Sequence, residues 1–110
     1  MARASPIDAD LYVAMKSGTL SSVSEGEWVP MPGGRAVNVW ISGTFVASWQ
    51  LQASHDGGVT ALPVALAGLG YEGPYTQRLK GWTYEQEANV LYRVACTAYT
   101  SGAIDWRISS

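Results

Sequence analysis

Between residues 37 and 52 the chain alternates apolar and polar side chains with a period of two, and between 90 and 109 it does so again. The first stretch reads Val37-Asn38-Val39-Trp40-Ile41-Ser42, pauses at Gly43-Thr44 and continues from Phe45 to Gln52, placing Val37, Val39, Ile41, Phe45, Ala47, Trp49 and Leu51 on alternate positions. The second runs from Val90 to Tyr99, pauses at Thr100-Ser101-Gly102 and returns through Ile104, Trp106 and Ile108, which alternate with Asp105, Arg107 and Ser109. Successive side chains of a strand point to opposite faces, so each stretch predicts two strands with one apolar and one polar wall. The short glycine-bearing pauses predict that each pair closes as a β-hairpin.

Weaker signals fill in the remainder. Asp10 to Lys16 carries Leu11, Val13 and Met15 on one face, and Glu27 to Met31 carries Trp28 and Val29; both predict short strands, separated by a Ser/Gly-rich turn over 17–26. Pro32-Gly33-Gly34 breaks the chain before the first strong alternation. Asp56-Gly57-Gly58 supplies the positive-φ residues of a turn that doubles back into Val59 to Val64. Ala65 to Gly73 is glycine-broken and reads as a loop with at most one helical turn. Tyr75 to Tyr84 predicts a strand at a sheet edge, where Lys80 discourages unwanted pairing, and Glu85 to Asn89 is a polar crossing. Residues 1–8 read as an extended arm and 9–110 as one domain. Seven to nine antiparallel strands bury their apolar walls best as two facing sheets, so the expected fold is an all-β sandwich, immunoglobulin-like or jelly-roll. Tyr92, Val94, Cys96 and Ala98 fall on one face in a run similar to the penultimate strand of immunoglobulin-like and fibronectin-III-like domains. That likeness implies a corner-closing Tyr92 and an inter-sheet Trp49, although a jelly roll produces the same alternation.

Composition narrows the function classes. Charged residues make up 15% of the chain, well under the roughly 25% of typical globular chains, so the outer surface is largely Ser, Thr, Gln, Gly and exposed aromatics, which suits contact with another protein. Seven Lys and Arg spread from Arg3 to Arg107, in a chain of formal net charge −2, form no basic stripe, which argues against nucleic-acid binding. One cysteine, Cys96, allows no intramolecular disulfide. No signal-like run follows Met1, and no segment approaches the roughly 20 apolar residues of a membrane helix, so a chain made and soluble in the cytoplasm, with no membrane partner, is expected.

Candidate chemistry is sparse. Ser54, His55 and Asp56 are consecutive and point in different directions, which rules out their assembly as a triad. One Cys and one His serve zinc poorly. Glu85 with Glu87, or Asp8 with Asp10, stand two apart but lie in polar flanks, without the apolar setting that raises a catalytic carboxyl's pKa. Gly68-Leu69-Gly70 lacks the remaining features of a nucleotide loop. The expectation is therefore a protein with no catalytic residues, cofactor or metal. Ser54-x-Asp56-x-Gly58-x-Thr60 resembles the Asp-box turn of sialidase-like propellers, with Ala61 where that motif has tryptophan; there the turn is a structural element. Five Trp, six Tyr and one Phe remain as recognition residues. Trp49, Trp106 and Tyr92 lie on apolar faces, whereas Trp40, Trp82, Tyr84 and Tyr99 lie where a partner has access; with Pro6 and Ile7 of the arm they form the expected interface.

The segments from Val37 to Gly58 and from Val90 to Gly102, about a third of the chain, resemble a family of short β-rich proteins encoded among the structural genes of tailed bacteriophages. The chain departs from that pattern at Ala53 and His55, where basic and aromatic residues are usual, and at Ala61. The resemblance implies a virion protein, made in the host cytoplasm, that binds the major capsid protein or other virion proteins and self-associates in the lattice. A head decoration or cement protein matches best in size, with a head–tail component, or a carbohydrate-binding or adaptor module of the tail or fibre, as the alternative.

Overall fold

A computed structural model describes residues 14–110. The arm, including Pro6 and Ile7, and most of the first expected strand lie outside the described residues. The described residues form nine strands: β1 (Met15–Leu20), β2 (Ser24–Glu25), β3 (Val29–Pro30), β4 (Arg35–Ser42), β5 (Phe45–Ser54), β6 (Leu62–Val64), β7 (Leu79–Glu85), β8 (Leu91–Gly102) and β9 (Ile104–Ser109). They make two antiparallel sheets, one ordered β1-β9-β4-β7, the other β2-β8-β5-β6 with β3 also on β8.

The pairing is that of one long antiparallel ribbon rolled on itself. From its tip outward the two arms of the ribbon pair as β5 with β6, β4 with β7, β2 and β3 with β8, and β1 with β9. Rolling adds two further ladders, β4 on β9 and β5 on β8. With β2 and β3 counted as one interrupted strand, this is the jelly-roll solution to the sandwich and not the immunoglobulin one. The tip of the ribbon is the loop 55–61, at the Asp-Gly-Gly turn, where Gly57 and Gly58 have φ of 74° and 97°.

Neither expected hairpin forms. β4 and β9 belong to one sheet and β5 and β8 to the other, so Gly43-Thr44 and Gly102-Ala103 are corners at which the two ribbon arms cross together between layers. Period-two alternation is common to a hairpin and a corner, because in both the two strands turn their apolar walls to one core. The corners demand glycine: Gly43 (φ 94°) and Gly102 (φ 86°) back onto each other's arm, and the Ala103 N–H donates to the Thr44 carbonyl at 2.9 Å.

The core lies between the layers. Val37, Val39 and Ile41 of β4 and Ile104, Trp106 and Ile108 of β9 face Trp49 and Leu51 of β5 and Tyr92, Val94 and Cys96 of β8, all buried as their alternation requires. Three local readings change. The expected turn over 17–26 contains most of β1 and all of β2, because its glycines serve packing: a Cβ on Gly18 or on Gly26 would stand 2.9 Å from the Trp106 indole. Tyr75 does not begin β7; its backbone exchanges hydrogen bonds with Trp49 at 2.7 and 2.8 Å in the other sheet, and the strand starts at Leu79. Thr97 and Thr100 are bulged out of the β5–β8 ladder, and the first bulge shifts the phase so that Ala98 faces outward and Tyr99 packs inward on the core.

The edges are guarded. Lys16 on edge strand β1 sits opposite inward-facing Ile108 and reaches across the open side of the sandwich to Glu27 at 3.1 Å. Both ends of that pair are well exposed, so it adds little stability; an inward charge on an edge chiefly disfavours pairing with another chain. Lys80 is exposed on β7, which is a sheet edge as expected, and the Ala67 N–H covers part of that edge by donating to the Trp82 carbonyl at 2.7 Å.

Candidate docking face

The outer wall of the β1-β9-β4-β7 sheet gathers three of the four exposed aromatics of the described residues; the fourth, Tyr71, lies in the connection between β6 and β7. On β4 the polar phase of Val-Asn-Val-Trp-Ile-Ser places Asn38, Trp40 and Ser42 outward; on β7 the same phase presents Lys80, Trp82 and Tyr84. Trp40 is 52% exposed, Trp82 49% and Tyr84 55%, values at which half of each large ring meets solvent instead of the core. Cross-strand register sets one row as Ser17, Arg107, Trp40 and Lys80, and the next as Met15, Ser109, Asn38 and Trp82, with Met15 also exposed. Trp40 and Trp82 are thus diagonal neighbours, within reach of one partner. Trp40 stands as a ridge between two open depressions. One, of about 570 Å³, is lined by Asn38, Lys80, Arg107 and Ser109; the other, of about 330 Å³, runs past Ser17, Thr19, Ser42 and Asp105.

Among the described residues the face carries two cations, Lys80 and Arg107, and one carboxylate, Asp105. Among those residues neither Lys80 nor Arg107 is ion-paired, whereas Lys16 is held by Glu27. Asp105, two positions from Arg107, instead accepts a hydrogen bond from the Thr19 hydroxyl at 2.8 Å. Trp40, Trp82 and Tyr84 therefore lie where the sequence placed them. Tyr99 does not: the Thr97 bulge turns it onto the core and its hydroxyl donates to the Gly102 carbonyl at 2.8 Å, which removes it from the exposed set. The sequence reading missed the two cations as part of this face. Their signal was present, since Arg107 shares the polar phase of β9 and Lys80 that of β7, but their meeting across Trp40 depends on the β4–β9 and β4–β7 registers.

The other chemistry-bearing groups are built into the fold. Ser54, buried, donates to Asp56 Oδ1 at 2.7 Å and accepts the Gly58 N–H at 2.8 Å, while the Thr60 N–H donates to Asp56 Oδ1 at 2.8 Å. This is the interlocked turn implied by the Asp-box likeness, and Trp28, not residue 61, brings an indole against Gly58. The Thr60 N–H, helped by the Thr60 and Ser54 side chains, holds the Asp56 carboxyl down at about 2. A carboxylate depressed in the folded state stabilises the fold above its ordinary value and loses that contribution as pH falls through the folded one. Asp56→Asn is accordingly expected to melt below the parent chain at neutral pH. The gap should close between about pH 4 and about pH 2, as thermal unfolding across that range will show. His55 is exposed beside this turn.

Glu85, buried at the end of β7, is satisfied by the Tyr92 hydroxyl, which donates to Oε1 at 2.8 Å, and by the Glu87 N–H on Oε2 at 2.9 Å. Burial and this carboxylate push the Tyr92 phenol well above its ordinary range. Tyr92 thus ties the end of β7 to β8. On the outer wall of the second sheet, Arg93 stacks over Trp28 at 4.1 Å and donates to Gln52, which donates to Gln50. Its cation is engaged, unlike Lys80 and Arg107. Burial raises the pKa of the Cys96 thiol, the direction of an unreactive cysteine. Among the described residues no group of three or more His, Cys, Asp or Glu side chains converges as metal ligands, and no helix is long and apolar enough to cross a membrane.

No protein-family model matches the chain, and neither a curated protein nor a solved structure does.

Proposed function

We propose that this chain is a virion structural protein, a decoration or cement protein of a tailed-phage head that docks on the shell through the outer wall of the β1-β9-β4-β7 sheet. The observation that carries the reading is the concentration of Trp40, Trp82, Tyr84 and Met15 on one exposed wall of a rigid sheet. Aromatic, methionine and arginine side chains are the types enriched at interfaces. The resemblance of Val37–Gly58 and Val90–Gly102 to phage structural proteins supplies the partner class. The wall of four short strands covers on the order of 400 Å², about half of a standard one-sided protein interface, so one copy binds weakly and retention comes from many copies on a repeating lattice.

The jelly-roll architecture serves viral shells and lectins alike and does not decide between them. A glycan-binding module of the tail or fibre is the second reading, favoured by the depression in which Asn38, Lys80 and Ser109 lie beside the Trp40 ring. Co-sedimentation with expanded, decoration-free shells of the source phage separates the two. Saturation at a lattice-related copy number is expected for a decoration protein, and no binding at any concentration overturns that reading. Trp40→Ala with Trp82→Ala should weaken shell binding by roughly 30-fold or more, as loss of one interface hot spot of about 2 kcal/mol would, while leaving the melting temperature nearly unchanged because both rings are half exposed.

A further inference from the structure

We propose that the docking wall recognises an acidic stretch of its protein partner, with carboxylates held by Lys80 and Arg107 on the two sides of Trp40 and an apolar group against the indole. The inference rests on the docking reading and specifies its chemistry. In a chain with net charge −2 and seven Lys and Arg in all, two cations fall in a single cross-strand row on either side of an exposed tryptophan. One strand separates them, so their Cα atoms stand about 10 Å apart, within a Debye length at ordinary ionic strength, and they act on a ligand as one field.

No carboxylate among the described residues lies within ion-pair distance of either cation; Asp105, the acid nearest in sequence on that wall, keeps its charge but is turned to the Thr19 hydroxyl, so the wall retains an excess of one positive charge around Trp40. Arg93 shows the contrast: on the opposite wall it is stacked on Trp28 and bonded to Gln52, a closed arrangement that leaves little for a ligand. A second copy docking the same wall by a two-fold axis is disfavoured, because it would set Lys80 and Arg107 of each copy against a wall whose one counter-charge is Asp105. Nucleic acid is disfavoured by the small number of cations. Free carboxylated sugar accounts for the depression beside Trp40 but not for the spread of Met15, Trp82 and Tyr84 over the whole wall, which a protein surface covers.

Amide and indole NMR of the full chain tests this during titration with a peptide alternating Glu and Gly around one Phe. The same peptide with Gln for Glu, and a neutral oligosaccharide, are the comparison ligands. The Glu peptide is expected to move the Trp40 indole N–H and the Lys80 and Arg107 amides, and to bind at least about tenfold more tightly than the Gln peptide at low salt, with the preference fading as salt rises. Lys80→Glu with Arg107→Glu, exposed positions whose change leaves the fold intact by thermal melting, should abolish that preference and transfer it to the matching Lys peptide. Equal binding of Glu and Gln peptides, or Trp40 shifts with the oligosaccharide alone, overturns the proposal. Shell binding that ignores the double reversal also overturns it while leaving the docking reading intact; Glu-peptide recognition at Trp40 without shell binding does the reverse.

Discussion

Gly102→Ala is expected to destabilise the fold by about 3 kcal/mol or more, a large share of the roughly 5–15 kcal/mol that holds a domain of this size together. Two terms add. The φ of 86° lies in the left-handed region, where a side chain costs about 1–2 kcal/mol. A Cβ there also runs into the Thr44 carbonyl oxygen and stands 2.7 Å from the Phe45 Cα, both backbone atoms of the opposing corner that no rotamer change can move. Relief requires the two ribbon arms to separate where they cross between sheets, at the Ala103 to Thr44 hydrogen bond. Gly57→Ala is the internal control: its φ is also positive, at 74°, but its Cβ would meet nothing within 4 Å, so it should cost only the conformational term of about 1–2 kcal/mol. Urea unfolding of both variants measures the difference, and equal losses would show that the contact between corners is not limiting.

That glycine also marks what could and could not be read in the chain. The inward residues of β4, β5, β8 and β9 follow from alternation alone, because burial of every second side chain is what the pattern encodes. Which strand pairs with which does not follow. Gly43-Thr44 and Gly102-Ala103 have the composition of hairpin turns, yet the partner of β4 is β9, over sixty positions away in sequence, and local pattern carries no record of that distance. The Asp-Gly-Gly turn was legible because its function is local: Ser54, Asp56, Gly58 and Thr60 satisfy one another within a few residues. Gly18 and Gly26 looked like turn residues for want of Trp106, which lies far along the chain and needs their missing side chains.

The docking wall divides in the same way. Trp40, Trp82 and Tyr84 take their outward phase from their own strands. Tyr99 was misplaced by the bulge at Thr97, since one extra residue in a strand reverses the face of the residues beyond it. The cationic character of the wall is a product of register: Lys80 and Arg107 become neighbours of Trp40 only once β7 and β9 flank β4.

Trp49→Ala is expected to cost about 4–5 kcal/mol and to leave much of the chain unfolded under mild conditions, within the range for deletion of a buried large aromatic ring. Trp49 is fully buried on β5 and fixes more than its own volume. Its indole N–H donates to the Gln77 carbonyl at 3.0 Å, its backbone pairs with Tyr75, and its ring packs on that of Tyr75 with centroids 4.9 Å apart. The Tyr75 hydroxyl in turn donates to the Tyr71 carbonyl at 2.6 Å, so one side chain pins the long connection between β6 and β7 at several points. Removal of the ring therefore opens a cavity and orphans a carbonyl together. Trp49→Phe keeps most of the packing and loses the indole donor, and should cost about 1–3 kcal/mol, from the lost hydrogen bond together with the smaller ring. Urea titration gives both magnitudes, and hydrogen exchange on the phenylalanine variant locates the effect: amides of 66–77 should lose protection while those of the β4–β9 ladder keep theirs. Loss spread evenly over both sheets would mean that Trp49 supports the sandwich as a whole and not the connection it touches. The β4–β9 ladder lies directly beneath the docking wall, so a local effect also predicts that Trp49→Phe leaves shell binding unchanged.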